Sequence, residues 1–189
     1  MANINAPRGL VPLRKTDGTP CIASNEYTIS ASDTGPIYKG DMVELTASGN
    51  VIEQIAAFDN TDNIGVFWGV SYKDAAGKQH FSPYWDGAAG KTDIQATVYD
   101  DPNIIFWAQC DTLAAGDVGA LADIAIGTGV AKYGISGMYI DVGTGTGTTG
   151  KNIRIRKLID DGENAYGAYA KVECTIYEHA LAGAAGVGV

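Results

Sequence analysis

Apolar and polar residues alternate at every second position through most of the chain, and this period constrains the fold more than any other feature. The clearest example runs from residue 152 to residue 159, where Ile153, Ile155 and roughly Leu158 would face a core while the intervening arginines, Arg154 and Arg156, would face outwards. Successive side chains of a β-strand point to opposite faces of its sheet, so the pattern indicates strands rather than helices.

Residues 42–46 and 51–55 alternate in the same way on either side of a short loop that contains Gly49, which predicts a β-hairpin. Further strands are predicted at 27–31, 65–72, 79–84, 93–99, 104–109, 138–142, 152–159 and 168–177. Many short strands separated by turn residues are typical of an antiparallel β-barrel or β-sandwich. A helix over 113–126 is disfavoured, because two glycines interrupt it at about 1 kcal/mol each.

The first 20 residues are rich in proline and basic, whereas the whole chain has a net charge of −9. Proline at positions 7, 12 and 20 biases the preceding residue away from helix and cannot donate to a β-ladder. We therefore expect residues 1–25 to form an extended arm that stays outside the packed core and docks on another molecule. Residues 26–179 would form the β-rich body, and residues 180–189 a tail of small residues.

Composition excludes several classes of function. An acidic body argues against nucleic acid as the partner, since phosphate binding requires clustered lysine and arginine. No apolar run reaches the roughly 18 residues of a membrane helix, and the first residues lack the apolar centre of a signal peptide, so we expect neither membrane insertion nor secretion. The three cysteines, Cys21, Cys110 and Cys174, form no C-x-x-C pair and are predicted to be free thiols.

The segment from Gly145 to Gly150 matches a glycine-rich nucleotide-binding pattern, and with Lys151 it nearly completes a phosphate loop. The chemistry requires a serine or threonine at the next position and a following helix. Position 152 is Asn, and the residues after it alternate like a strand. We therefore interpret the segment as a linker between strands and predict no cofactor.

Metal-binding patterns are weak. His80 and His179 are the only histidines, so a zinc motif with two closely spaced histidines is excluded. Residues 59–63 resemble the start of a calcium loop, but Ile64 replaces the required glycine and Val70 replaces the required acid. We predict no metal site.

Two carboxylate pairs, Asp100 with Asp101 and Asp160 with Asp161, are the only plausible acid/base set for an enzyme. Both pairs lie at turn signals, where aspartate favours local hydrogen bonds to the backbone. We interpret them as turn residues, assign no catalytic residue and predict that the chain is not an enzyme.

Adjacent aromatic residues occur within three predicted strands, and the tryptophan of each pair is Trp68, Trp85 or Trp107. Because neighbours on a strand face opposite ways, one ring of each pair must point away from the other's face. An outward tryptophan indicates a subunit interface or a platform for stacking sugars, unless a second sheet covers it. These three tryptophans are the candidate oligomer interface.

The arm ANINAPRGLVPLRKTDGTP (Ala2–Pro20), the segment 40–51, the run 99–109 and the short pieces 117–120 and 164–167 together resemble the head decoration, or cement, proteins of tailed bacteriophages. The resemblance implies a β-rich protein without catalytic activity, commonly a homotrimer at threefold axes, that clamps neighbouring copies of the major capsid protein. Its place would be the outer capsid surface of the virion, after synthesis in the host cytoplasm.

On this resemblance the arm would lie on the capsid. The residues expected to make that contact are Pro7, Arg8, Leu10, Pro12, Arg14 and Lys15. Two alternatives remain open from the sequence: a structural component of the phage tail or neck, and a carbohydrate-binding β-module that uses one of the tryptophans.

Overall fold

The computed structural model describes residues 3–21, 23–55, 63–147 and 150–182. It confirms the all-β prediction. The strands are β1 (Val11–Lys15), β2 (Asn25–Ile29), β3 (Ile37–Tyr38), β4 (Met42–Leu45), β5 (Val51–Gln54), β6 (Asn63–Lys73), β7 (Gln79–Ser82), β8 (Tyr84–Trp85), β9 (Thr92–Tyr99), β10 (Ile104–Gln109), β11 (Leu121–Ala125), β12 (Tyr139–Asp141), β13 (Ile153–Leu158) and β14 (Lys171–Ile176). One short 3₁₀ turn lies at Ala115–Asp117.

In the described residues the chain forms two sheets of six strands and a two-stranded sheet of β3 and β8. The first sheet has the order β1-β10-β14-β13-β11-β12 and curls until its far end meets the residues that follow β10, where the Asp111 N–H donates to the Ile140 carbonyl (3.0 Å). The second has the order β4-β5-β2-β9-β6-β7, and a further pairing of β4 with β6 closes five of its strands into a barrel.

Each sheet encloses its own hydrophobic core, and β4 and β6 contribute to both. Met42 and Val66 pack in the core of the first sheet, which we call core 1. Their neighbours Val43 and Phe67 pack in the core of the second sheet, core 2. Because neighbouring side chains on a strand face opposite ways, this stretch of β4 and β6 is buried on both faces and joins the two cores into one body.

The hairpin predicted from the sequence is confirmed: β4 and β5 pair antiparallel, with Leu45 opposite Ile52. The alternation of β13 is confirmed as well, since Ile153 and Ile155 lie in core 1 and Leu158 packs against it. In a regular strand Leu158 would face away from the side that Ile153 and Ile155 occupy. An irregularity between Ile155 and Lys157 in the pairing with β14 turns it back to the inner face.

The N-terminal segment packs against the chain's own body. Leu10 is fully buried in core 1, and its N–H donates to the Gly40 carbonyl (2.9 Å). Strand β1 extends the first sheet by pairing antiparallel with β10. The expectation that this segment stays outside the packed core is therefore wrong at Leu10, which the core encloses.

The residues before Leu10 are also held. The Asn3 side-chain amide donates to the carbonyls of Ala165 and Ala168 (2.8 Å each), and the Ala6 N–H donates to Gln109 Oε1 (2.9 Å). The bond of Ala6 satisfies a backbone group of the arm, and those of Asn3 tie the arm to the segment before β14.

The arm crosses the chain at two glycines. Gly9 and Gly40 both have positive φ, +68° and +98°. A Cβ atom at Gly9 would lie 2.1 Å from the Gly40 carbonyl oxygen, and one at Gly40 would lie 2.4 Å from the Arg8 oxygen. No other residue fits this crossing without moving the backbone.

The predicted tail lies outside the described residues from 183 onwards, as do residues 59–62 of the calcium-like segment. Before that point the Ala180 N–H donates to the Asn63 carbonyl (2.8 Å). In the described part of the chain, no helix is long and apolar enough to cross a membrane.

We predict that Leu10→Ala destabilises the whole protein by about 2–5 kcal/mol, because it leaves a cavity in core 1. Leu13 is a matched control: it lies three residues further along the same segment but is 40% exposed. Leu13→Ala should change stability by no more than about 0.5 kcal/mol. Urea unfolding of both variants measures the difference, and equal small effects would contradict the burial of Leu10.

Candidate interaction surface

The aromatic pairs separate as strand geometry requires. Phe67 lies in core 2 and Phe106 in core 1, while their neighbours Trp68 and Trp107 are half-buried at the surface. Trp68 sits at an irregularity in the pairing of β6 with β9, and Trp107 on β10 lies opposite Val11 on β1. Two of the three predicted interface tryptophans are therefore at the surface.

Trp85 is a different case. It is fully buried in core 2, its Nε1 donates to the Asp33 carbonyl (3.2 Å), and the edge of its ring meets Tyr72. The prediction that it belongs to an oligomer interface is therefore wrong. The short pairing of β8 with β3 turns this ring inwards and leaves its neighbour Tyr84 stacked on Tyr38 (5.6 Å).

The two most exposed aromatic residues of the described chain were not predicted from the sequence. Phe81 is 83% exposed and Tyr133 is 61% exposed. Neither has an aromatic neighbour in the sequence. Phe81 lies within the strand predicted at 79–84, and Tyr133 lies between predicted strands; neither position carried a sequence signal of exposure.

Tyr133 belongs to a continuous patch that we call the aromatic surface. It lines an open cavity of about 460 Å³. The lining residues are Arg8, Val11, Lys39, Trp68, Pro83, Trp107, Tyr133 and Ile135. The arm contributes two of them, so folding of the arm onto the body completes the surface.

Cations border the aromatic surface. Lys39 Nζ lies 3.9 Å above the centre of the Trp68 ring, and the Tyr99 ring meets Trp68 edge-on at 5.3 Å. A cation over an aromatic face is attracted by the ring's quadrupole, which orients both side chains. Arg8 lies exposed at the same cavity. The surface thus combines large rings with positive charge.

The remaining charges of the arm are neutralised within the chain. The Arg14 guanidinium donates two hydrogen bonds to the Glu173 carboxylate (3.0 and 2.7 Å), and Lys15 Nζ lies 2.6 Å from Asp101. The hydrogen bond from Arg14 lowers the pKa of Glu173, and Lys157 adds to the effect. The acidic counterpart of the basic arm is therefore the chain's own body.

The carboxylate pairs hold turns and strands. Asp100 accepts hydrogen bonds from the Tyr27 hydroxyl (2.7 Å) and the Asn25 amide, and burial followed by this hydrogen bond raises the pKa of Tyr27. Asp161 accepts from the Glu163 N–H (3.3 Å). The Asp161 contact is the local backbone bond expected of a turn residue. Asp100 instead ties the turn after β9 to side chains of β2.

The glycine-rich segment runs into a strand. Leu121 and Gly147 exchange two backbone hydrogen bonds (3.1 and 2.9 Å), and β13 begins at Ile153. Lys151 Nζ lies 2.5 Å from the buried Asp123 carboxylate. The ammonium that would hold a phosphate is thus paired with an aspartate, in agreement with a linker.

Cys110 and Cys174 are free thiols buried in core 1, whereas Cys21 is half-buried. Burial raises the pKa of Cys110 to about 12 and lowers that of His179 to about 4, so both groups are neutral at pH 7. Among the described residues, no group of three histidine, cysteine or acidic side chains could hold a metal ion.

Comparison of the chain with protein-family models, curated proteins and solved structures finds no match.

We predict a pH-dependent effect of Arg14→Gln. The folded-state pKa of Glu173 lies below its ordinary value of 4.5. The ion pair therefore stabilises the fold above that pH, and this contribution disappears as pH falls through the lower folded-state value. Because Arg14 is partly exposed, the loss at pH 7 should be at most about 1 kcal/mol, and smaller at pH 3.

Thermal unfolding at both pH values measures this effect. Arg156, which is exposed beside Lys157 on β13, supplies the control variant Arg156→Gln. An equal loss for Arg14→Gln at both pH values would contradict the ion pair.

Proposed function

We propose that the chain is a non-enzymatic structural protein of a tailed-phage particle that binds the outer capsid surface and cements neighbouring major capsid protein subunits. The observation that supports the proposal is the aromatic surface, where Tyr133 is 61% exposed beside Trp68 and Trp107. Exposed apolar patches of this kind mark protein interfaces, and tryptophan, tyrosine and arginine carry most of the binding energy there.

The arm takes part in this contact as a folded element. Leu10 is enclosed in core 1, and Arg14 and Lys15 are paired with carboxylates of the body. Of the six arm residues predicted to meet the capsid, Arg8 is the exposed one, and it lines the aromatic surface. We propose that Arg8 and its neighbour Val11 meet the capsid from this position.

Cementing by such a protein needs rigidity and repetition rather than chemistry. The two cores share β4 and β6, so a load applied at one sheet is carried by the other. A homotrimer would present three aromatic surfaces together, and simultaneous engagement raises the effective affinity well above that of one contact. Rupture of the shell would then require several interfaces to break at once.

We predict that Tyr133→Ala lowers binding to the capsid about tenfold, because truncating a central aromatic side chain at an interface removes a large share of the binding energy. Capsids purified from particles that lack this protein are mixed with each variant, and bound protein is measured after sedimentation. Tyr166 is a matched control, since it is 50% exposed and lies outside the aromatic surface. Equal occupancy for both variants would overturn the role of this surface.

We predict a homotrimer in solution or on the particle. Light scattering should give a mass about three times the 19.7 kDa of one chain. Single copies both in solution and in image reconstructions of the particle would contradict the trimer and leave the capsid contact to be judged by the binding assay.

A further inference from the structure

A second concave feature lies on the outer face of the second sheet and meets the aromatic surface at Trp68 and Pro83. Its walls include Trp68, Pro83 and Phe81, the last of which projects from β7 and is 83% exposed. The groove has a volume of about 390 Å³. The Phe81 ring has almost no packing role in the body, so it is available to contact another molecule.

The floor of this groove is polar and shallow, as the strand registers require. Ser71 on β6 lies between Phe81 on β7 and Gln95 on β9. In the adjacent row Thr97 on β9 lies between Gly69 on β6 and Glu26 on β2. Because Gly69 has no side chain, the floor stays open beside the aromatic wall.

The polar side chains of the floor are available to a ligand. Glu26, Ser71, Gln95 and Thr97 form no side-chain hydrogen bond with any described residue. Elsewhere on this barrel polar side chains do form such bonds: Asn25 and Tyr27, for example, both donate hydrogen bonds to Asp100. Together the four supply a carboxylate, an amide and two hydroxyls, which can both donate and accept hydrogen bonds.

We infer that this groove binds a neutral saccharide. A pyranose ring has an apolar C–H face, which fits the exposed Phe81 ring, and a rim of hydroxyls, which fits the amide, hydroxyl and carboxylate groups of the floor. Binding sites of small ligands characteristically combine aromatic walls with a few polar groups that fix orientation. The formal charge of the groove comes from Glu26, so an anionic sugar is repelled.

The groove adjoins the proposed capsid contact and shares Trp68 and Pro83 with it, but the other lining residues differ. Arg8 and Lys39 line only the aromatic surface, while Glu26 lines only the groove. The cations and large rings of the aromatic surface suit a protein partner. The polar groups of the groove, which surround one exposed ring, suit a sugar. The inference does not depend on capsid binding.

The test is a titration of the full-length protein, labelled with ¹⁵N, with methyl glycosides of glucose, galactose and mannose and with N-acetylglucosamine. At least one of these neutral probes should produce saturable shifts of the amides of Ser71, Phe81 and Gln95. Phe81→Ala should weaken that binding about tenfold and leave capsid binding unchanged. Tyr133→Ala should do the reverse, so the two sites can fail independently.

Charge selection is tested with sialyllactose as the anionic probe. Wild-type protein should not bind it, and Glu26→Gln should bind it measurably better while keeping the neutral probe within a few-fold. No saturable shift with any neutral probe, or binding that survives Phe81→Ala unchanged, would overturn the inference. A lower solution mass for Phe81→Ala would also overturn it, because the groove would then be a contact between copies of this chain.

Discussion

Where they pair with each other, strands β4 and β6 are buried on both faces, and the rest of the molecule is arranged around this constraint. One face of each strand supplies Met42 and Val66 to core 1, and the other supplies Val43 and Phe67 to core 2. A stretch of strand that is buried on both faces must be covered on each side. The second sheet supplies one cover by closing into a barrel, and the curled first sheet supplies the other.

The N-terminal arm completes the cover of core 1. The paired glycines at positions 9 and 40 let it cross the chain at the start of β4, where Leu10 enters the core. Its pairing with β10 and the ion pair of Arg14 with Glu173 hold it there. The aromatic surface then depends on the same docking, because Arg8 and Val11 line it only when the arm is in place.

Local patterns in the sequence predicted local structure. The alternation of β13 and the hairpin of β4 and β5 follow from neighbouring residues alone, and the structure confirms both. Long-range pairing left no such signal: Arg14 and Glu173 are 159 residues apart, so a basic arm on an acidic chain indicated an external partner. The sequence also could not distinguish the three tryptophans, because the pairing of β8 with β3 that buries Trp85 is a long-range contact. Exposed Phe81 and the polar floor beside it emerge only from the register of four strands.

Native-state hydrogen exchange shows whether the arm is an integral part of the folded body. The Leu10 N–H donates to the Gly40 carbonyl, and the Lys15 N–H donates to the Thr19 carbonyl. We predict that the Leu10 amide is protected to the same degree as the amides of β10, since opening it requires opening core 1. Exchange of Leu10 and Lys15 at the rate of an unstructured peptide, with β10 still protected, would show that the arm is not part of the folded body.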